Sequence, residues 1–122
     1  MSGASSFLPV PEQTWEVTPE SVAKWVQLPR DQRPRLIDCR EEDELTICQI
    51  EGNEWFPLDT FPFAGERLTA DDARGVVVYC HHGIRSLRAT AFLRANGVEK
   101  AFSMQGGIDA WSRLIDPEVP RY

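Results

Sequence analysis

No run of the sequence is apolar for long enough to cross a bilayer, so a membrane-spanning helix is not expected. Cysteine is sparse. Cys39, Cys48 and Cys80 are an odd set without a Cys-x-x-Cys pair, which speaks against a disulfide framework and against a cysteine-rich zinc site. The two histidines, His81 and His82, adjoin Cys80. From a loop they are expected to point different ways rather than share a tetrahedral ion with that cysteine, so no metal is expected. Basic residues number 13 against 19 acidic ones, giving a net charge of −6. That balance argues against nonspecific binding to nucleic acid or to an anionic membrane. Met1 to Val10 lacks both a basic region and a sustained apolar stretch. A signal peptide is therefore not expected, and the expected compartment is the cytoplasm. Internal repeats and low-complexity tracts are also missing.

What is present suits one domain, since 122 residues with 42% hydrophobic side chains can bury a core without staples. The most informative stretch is Gly75 to Ser86. Val76 to Tyr79 reads as a buried parallel strand that stops at Cys80. A helical pattern follows, with Leu87, Ala91 and Ala95 on one face and Asn96-Gly97 as its stop. A cysteine thus sits where a strand hands over to a helix, in a short loop closed by Arg85. Inward-facing loop N–H groups and the positive helix end favour a thiolate, which is the nucleophilic form. Gly83 supplies the positive φ that such a tight loop requires. Arg85 offers a planar fork for an oxyanion. Ser86 either caps the helix or donates to the sulfur. His81, His82 and Ile84 complete the pocket lining, and protonated histidines there would add positive charge.

The rest of the chain alternates strands with helices. Residues 1–15 form a loosely held arm and residues 16–122 the domain. Trp15-Glu16-Val17 opens as a short strand. Thr18, Pro19 and Glu20 then mark a helix start, with Val22, Trp25 and Val26 on its buried face. Leu36 to Cys39 is the next strand, and the acidic run Glu41 to Glu44 starts a short helix. Glu54 to Leu58 is a candidate strand. Pro62 sits in the first turn of a helix carrying Phe63 and Leu68. After the Leu87 helix, a strand at Ala101 to Met104 precedes a last helix from about Ile108. The expected fold is α/β, a small, mostly parallel central sheet flanked by helices on both faces. Ligands in such sheets bind beyond the carboxyl ends of the strands, where Cys80, Arg40 and the Gly106-Gly107 turn fall. Cys39, inside an apolar strand, reads as a small buried hydrophobe, and Cys48 less firmly so.

Four stretches together resemble the rhodanese family of sulfurtransferases. Cys80-x-x-Gly83-x-Arg85-Ser86 is similar to its active-site loop, and Asp38-Cys39-Arg40 to its Asp-x-Arg strand end. Gly106-Gly107-Ile108-Asp109-Ala110-Trp111 is similar to its C-terminal turn into a helix, and Pro117 to Tyr122, ending Val-Pro-Arg-Tyr, to the tail of many single-domain members. One segment departs from the family pattern: Gln49 and Asn53 stand where histidine and alanine are common. The resemblance implies a rhodanese-like fold and a two-step transfer of sulfane sulfur from a small donor such as thiosulfate, through a Cys80 persulfide, to cyanide or a thiol or protein acceptor. It implies no cofactor, a bracing role for Asp38 and Arg40 behind the active-site wall, and structural roles for Gly106, Gly107 and Trp111. A monomer is expected. Two alternatives stay open. One is a noncatalytic interaction or sulfur-carrier module. The other is a phosphatase or arsenate reductase of the same fold, whose loop holds five residues between cysteine and arginine where this chain has four.

Overall fold

The computed structural model describes residues 8–70 and 74–122. Five strands, β1 (Glu16–Val17), β2 (Arg35–Asp38), β3 (Glu54–Trp55), β4 (Val76–Tyr79) and β5 (Ala101–Met104), form one sheet in the order β1-β5-β4-β2-β3. All four pairings are parallel. Parallel neighbours need crossover connections, and the helices α1 (Pro19–Trp25), α2 (Glu42–Ile47), α3 (Glu66–Thr69), α4 (Ile84–Ala95) and α5 (Gly107–Leu114) run between or after the strands.

Both faces of the sheet are covered. Alternation along the strands sends Leu36, Val77, Tyr79, Phe102 and Met104 to a layer containing Val22, Trp25, Ile108 and Trp111 of α1 and α5. Ile37, Val76, Val78 and Ala101 face the other way, against Leu68, Ala89 and Leu93 of α3 and α4. Trp111 is buried, as its place in the Gly-Gly turn and helix predicts. Helix α1 starts as its sequence dictates, with the Thr18 side-chain oxygen accepting from the Ser21 N–H at 3.2 Å and proline in the first turn. Helix α2 begins with a capping box between Glu41 and Glu44.

Three expectations change. The segment after β3 is a 3₁₀ helix, Leu58–Phe63, with Pro62 inside it, and α3 begins only at Glu66. Leu68 is fully buried but Phe63 is 86% exposed, so only one of the two belongs to the core. Residues 1–7 of the expected arm lie outside the described residues, and the following stretch is tied down. Arg94 donates to the carbonyls of Pro11 (2.8 Å) and Thr14 (2.9 Å) and lies over the Trp15 ring, while Leu8 packs on the core. Finally, α4 starts at Ile84, three residues before Leu87, which changes what Arg85 and Ser86 can reach.

Candidate active site

Cys80 follows the last residue of β4, and Gly83 caps α4 with φ +104°. That left-handed backbone turns the Gly83 N–H back toward the cysteine, where it donates to Sγ at 3.1 Å. Because the helix has already begun, Ser86 lies in its first turn and does not cap it. Its N–H donates to Cys80 Sγ at 3.4 Å, and its hydroxyl lies 3.4 Å from the same sulfur. Ser103 of β5 holds that hydroxyl from behind, Oγ to Oγ at 2.7 Å, and both serines are fully buried. Cys39 completes the surroundings from β2. It extends the register in which Asp38 faces Tyr79, and its N–H donates to the Tyr79 carbonyl at 3.1 Å.

These donors outweigh burial. The thiol of Cys39 beside it, then the Ser86 hydroxyl, the Ser86 N–H and the Gly83 N–H pull the Cys80 pKa down to about 5, against the upward push of desolvation. The positive end of α4 acts in the same sense. Cys39 moves the opposite way: its contact with Cys80, burial and the negative charges nearby hold it as a thiol. At neutral pH the pair therefore carries one negative charge, on Cys80.

Arg85 does not hold its fork open toward the sulfur. Its two terminal nitrogens pair with both carboxylate oxygens of Glu44, at 2.6 and 2.8 Å. Glu44 thus has a role beyond starting a helix. Arg85 first, helped by the Glu41 N–H and the Tyr122 hydroxyl, holds its carboxyl down at about 2 against the desolvation of the site. The Tyr122 hydroxyl donates to Glu44 Oε1 at 2.7 Å and accepts from Arg40 Nη1 at 2.8 Å. The ring of Tyr122 stacks on His81, centroids 3.8 Å apart and 7° from parallel.

The histidines do not diverge as expected. His81 is sandwiched, with the His82 ring 3.8 Å away on a stack tilted by 27°. Burial, and then the neighbouring His82, lower the pKa of His81, which removes it as a source of positive charge at neutral pH. Ligand-type atoms of His81, His82 and Asp109 lie within 4.8 Å of one another. The Asp109 oxygens, however, accept from Arg113 (3.2 Å) and Arg121 (2.9 Å), which surround the group with positive charge. Ile84 stands 69% exposed at the rim.

Asp38 and Arg40 are both fully buried and paired at 2.7 Å. Arg40 also donates to the Cys48 carbonyl at 2.6 Å, and its own N–H donates to Asp38 Oδ1 at 3.0 Å. They form the wall behind α2. Gln49 and Asn53, the two departures from the family pattern, hydrogen-bond each other at 2.9 Å and so close their own turn. Backbone hydrogen bonds hold the loop against α5: Ile108 N–H donates to the Cys80 carbonyl (2.8 Å) and Asp109 N–H to that of His81 (3.1 Å).

Strand-to-helix cysteine loop, parallel order and buried Asp-Arg pair together define a rhodanese-like domain, and the family model of that description matches residues 18–114. The chain belongs to the rhodanese-like domain family. It is 32% identical over 87 residues to a sulfurtransferase of Allochromatium vinosum, covering 68% of this chain and 79% of that protein. It is 33% identical over 107 residues to the probable adenylyltransferase/sulfurtransferase MoeZ of Mycobacterium tuberculosis, 87% of this chain but 26% of that protein. The chain therefore spans about a quarter of the mycobacterial relative. A rhodanese-like domain protein from Staphylococcus aureus has the same fold, with a TM-score of 0.70 over 89% of this chain and 99% of that one at 21% identity.

Cys39, Glu44, Ser103 and Tyr122 are the site residues that pattern reading misses. Cys39 carried no signal of its place, since β2 and β4 become neighbours only because β3, which lies between them in sequence, sits at the edge of the sheet. Glu44, Ser103 and Tyr122 carried none, because their partners come from elements distant in sequence.

Proposed function

We propose that the protein is a sulfurtransferase that carries sulfane sulfur on Cys80. The observation behind this reading is the Cys80 sulfur itself. It is a buried thiolate facing two backbone N–H groups and a hydroxyl at a helix N-terminus. The thiolate attacks the outer sulfur of thiosulfate, the S–S bond of the donor breaks, and sulfite leaves with its electron pair. The product is a Cys80 persulfide whose terminal sulfur takes up the negative charge. Cyanide or a thiolate then attacks that sulfur and Cys80 departs as thiolate, so two displacements replace one. The donors that stabilise the thiolate are placed to stabilise it again as leaving group.

Arg85 and Glu44 set the charge at the mouth. A sulfonate reaching the loop competes with Glu44 for the guanidinium fork, so the ion pair moderates affinity for dianionic donors. Asp38, Arg40 and Tyr122 position Glu44 and through it Arg85.

The test is thiocyanate formation from thiosulfate and cyanide. Wild-type protein turns over, and Cys80→Ser does not while keeping its circular dichroism, since a hydroxyl does not ionise in this range. Turnover retained by Cys80→Ser would remove Cys80 from the role.

A further inference from the structure

Two-step transfer to an outside acceptor leaves Cys39 with nothing to do beyond donating a hydrogen bond, yet its position is unusually specific. Asp38 and Tyr79 are the last registered pair of β2 and β4, and Cys39 and Cys80 follow them side by side. Both belong to the layer against α4, on the same face of the sheet, and are almost wholly shielded from solvent. Neighbouring strands stand about 4.8 Å apart, which lies within the range of roughly 4.4–6.8 Å between Cα atoms that a disulfide spans. Cys48 has no such access, because it packs in the opposite layer beside Arg40. Cys39 arrives from β2, whereas the donors to Cys80 Sγ come from the loop and α4. An attacking sulfur and a departing one therefore have separate sides from which to approach and leave.

Building on the persulfide reading above, we propose that Cys39 is a resolving cysteine that attacks loaded Cys80 and releases hydrosulfide, which gives the protein a reductive outlet for sulfane sulfur. In this step a bond forms between Cys39 Sγ and Cys80 Sγ, and the bond from Cys80 Sγ to the terminal sulfur breaks. The electron pair of the broken bond and the proton of the Cys39 thiol leave with the terminal sulfur. Cys39–SH and Cys80–S–S⁻ become a Cys39–Cys80 disulfide and HS⁻, with charge and atoms conserved. The sulfane sulfur is the oxidant and is reduced by two electrons, and the two cysteine sulfurs supply them. Hydrosulfide is a weaker base than an alkyl thiolate, which favours its departure. A small dithiol reductant, itself becoming a cyclic disulfide, returns both cysteines to their starting state.

The experiment treats the reduced full-length protein with thiosulfate, without cyanide, thiol or other acceptor, and measures free hydrosulfide. Cysteines are then alkylated and mapped by mass spectrometry without reduction. The expected result for wild type is stoichiometric hydrosulfide and a Cys39–Cys80 linked peptide without added sulfur. Cys39→Ser and the near-isosteric Cys39→Val load more slowly, because the Cys39 thiol helps to hold Cys80 ionised, but once loaded they are expected to release no hydrosulfide and to keep the additional sulfur on Cys80. A wild-type protein that keeps its persulfide with Cys39 alkylated as a free thiol overturns the resolving role and leaves sulfur transfer standing. Equal hydrosulfide from wild type and both Cys39 variants overturns it as well. If neither wild type nor variants take up sulfur, the transfer reading and the resolving role fail together.

Discussion

Gly107 tests how the active loop is held. Its φ is +64°, and a Cβ there would stand 2.3 Å from the His81 carbonyl oxygen, 2.5 Å from its carbon and 2.6 Å from the Cys80 oxygen. All three are backbone atoms and cannot swing aside. Restoring a separation of 3.0 Å moves loop and helix apart by at least about 0.7 Å. Gly107→Ala therefore carries a left-handed backbone cost of about 1–2 kcal/mol and an overpacking cost of about 1–3 kcal/mol, together roughly 2–5 kcal/mol. The displacement stretches the Ile108 and Asp109 hydrogen bonds to the loop and draws the Gly83 and Ser86 N–H groups off the sulfur, so the Cys80 pKa rises. Gly97→Ala is the control, since φ is +94° there but nothing lies within 4 Å of the added methyl. Urea unfolding gives the stability loss, and iodoacetamide alkylation between pH 4 and 9 gives the thiolate titration. Gly107→Ala is expected to lose clearly more stability than Gly97→Ala and to shift the alkylation curve toward higher pH. Equal losses from the two substitutions, with the Cys80 curve unmoved in both, would refute the close-approach argument.

Wild-type Cys80 should alkylate with a midpoint near pH 5, flat above and falling below, and a midpoint near that of a free thiol would contradict the donor set. Its folded pKa lies below the unfolded one. The stabilisation it brings is thus complete above the unfolded value and is lost as pH falls through about 5. Glu44 acts in the same direction, its contribution disappearing as pH falls from the ordinary carboxylate range toward about 2, so urea midpoints should decline from pH 7 to pH 4 and further below. Arg40→Ala leaves the Asp38 carboxylate buried without its cation and should cost about 3–5 kcal/mol in urea unfolding, a larger loss than that of Arg113→Ala at a half-exposed ion pair. Tyr122→Phe keeps the stack on His81 but removes the hydroxyl between Arg40 and Glu44, and should cost about 1–3 kcal/mol while raising the KM for thiosulfate or lowering it according to whether Glu44 loosens or tightens on Arg85. An unchanged stability and KM would mean that the hydroxyl bridge carries no weight.

The two fully buried strands, at Val76 and Ala101, were legible to the residue, because burial on both faces favours apolar or small side chains along the whole run. So were the Thr18 cap and the positive φ of Gly83, which are local requirements of the backbone. The segment from Leu58 to Thr69 was not, since a 3₁₀ stretch containing proline and a four-residue helix offer too few turns for a period to show. Within the site, the cysteine loop was readable as chemistry and its surroundings were not. Arg85 promised a free fork, but the residue that occupies it is 41 positions away on α2. Cys39 had the profile of any small core residue, and only the lateral register of β2 and β4 makes it a neighbour of the reactive sulfur.

Cys80 is only 1% exposed although its sulfur is held as an anion, and this separates reactivity from reach. Most low-pKa thiols are open to every disulfide and electrophile in their surroundings. Here the empty thiolate lies below the surface, so access to it should fall as a reagent grows in size. A persulfide on Cys80 would lengthen the side chain by about 2 Å, the span of one S–S bond, and so place the transferable atom beyond the position of the buried Sγ. Loading would therefore act as its own advertisement: the charged carrier shows its cargo to large acceptors, and the discharged one withdraws from them. Steric access would then impose a direction on an exchange whose bond energies alone impose very little, and reagents graded by size, from iodoacetamide to a maleimide-linked polymer, would reveal it as a discrimination present in the empty form and weakened in the loaded one.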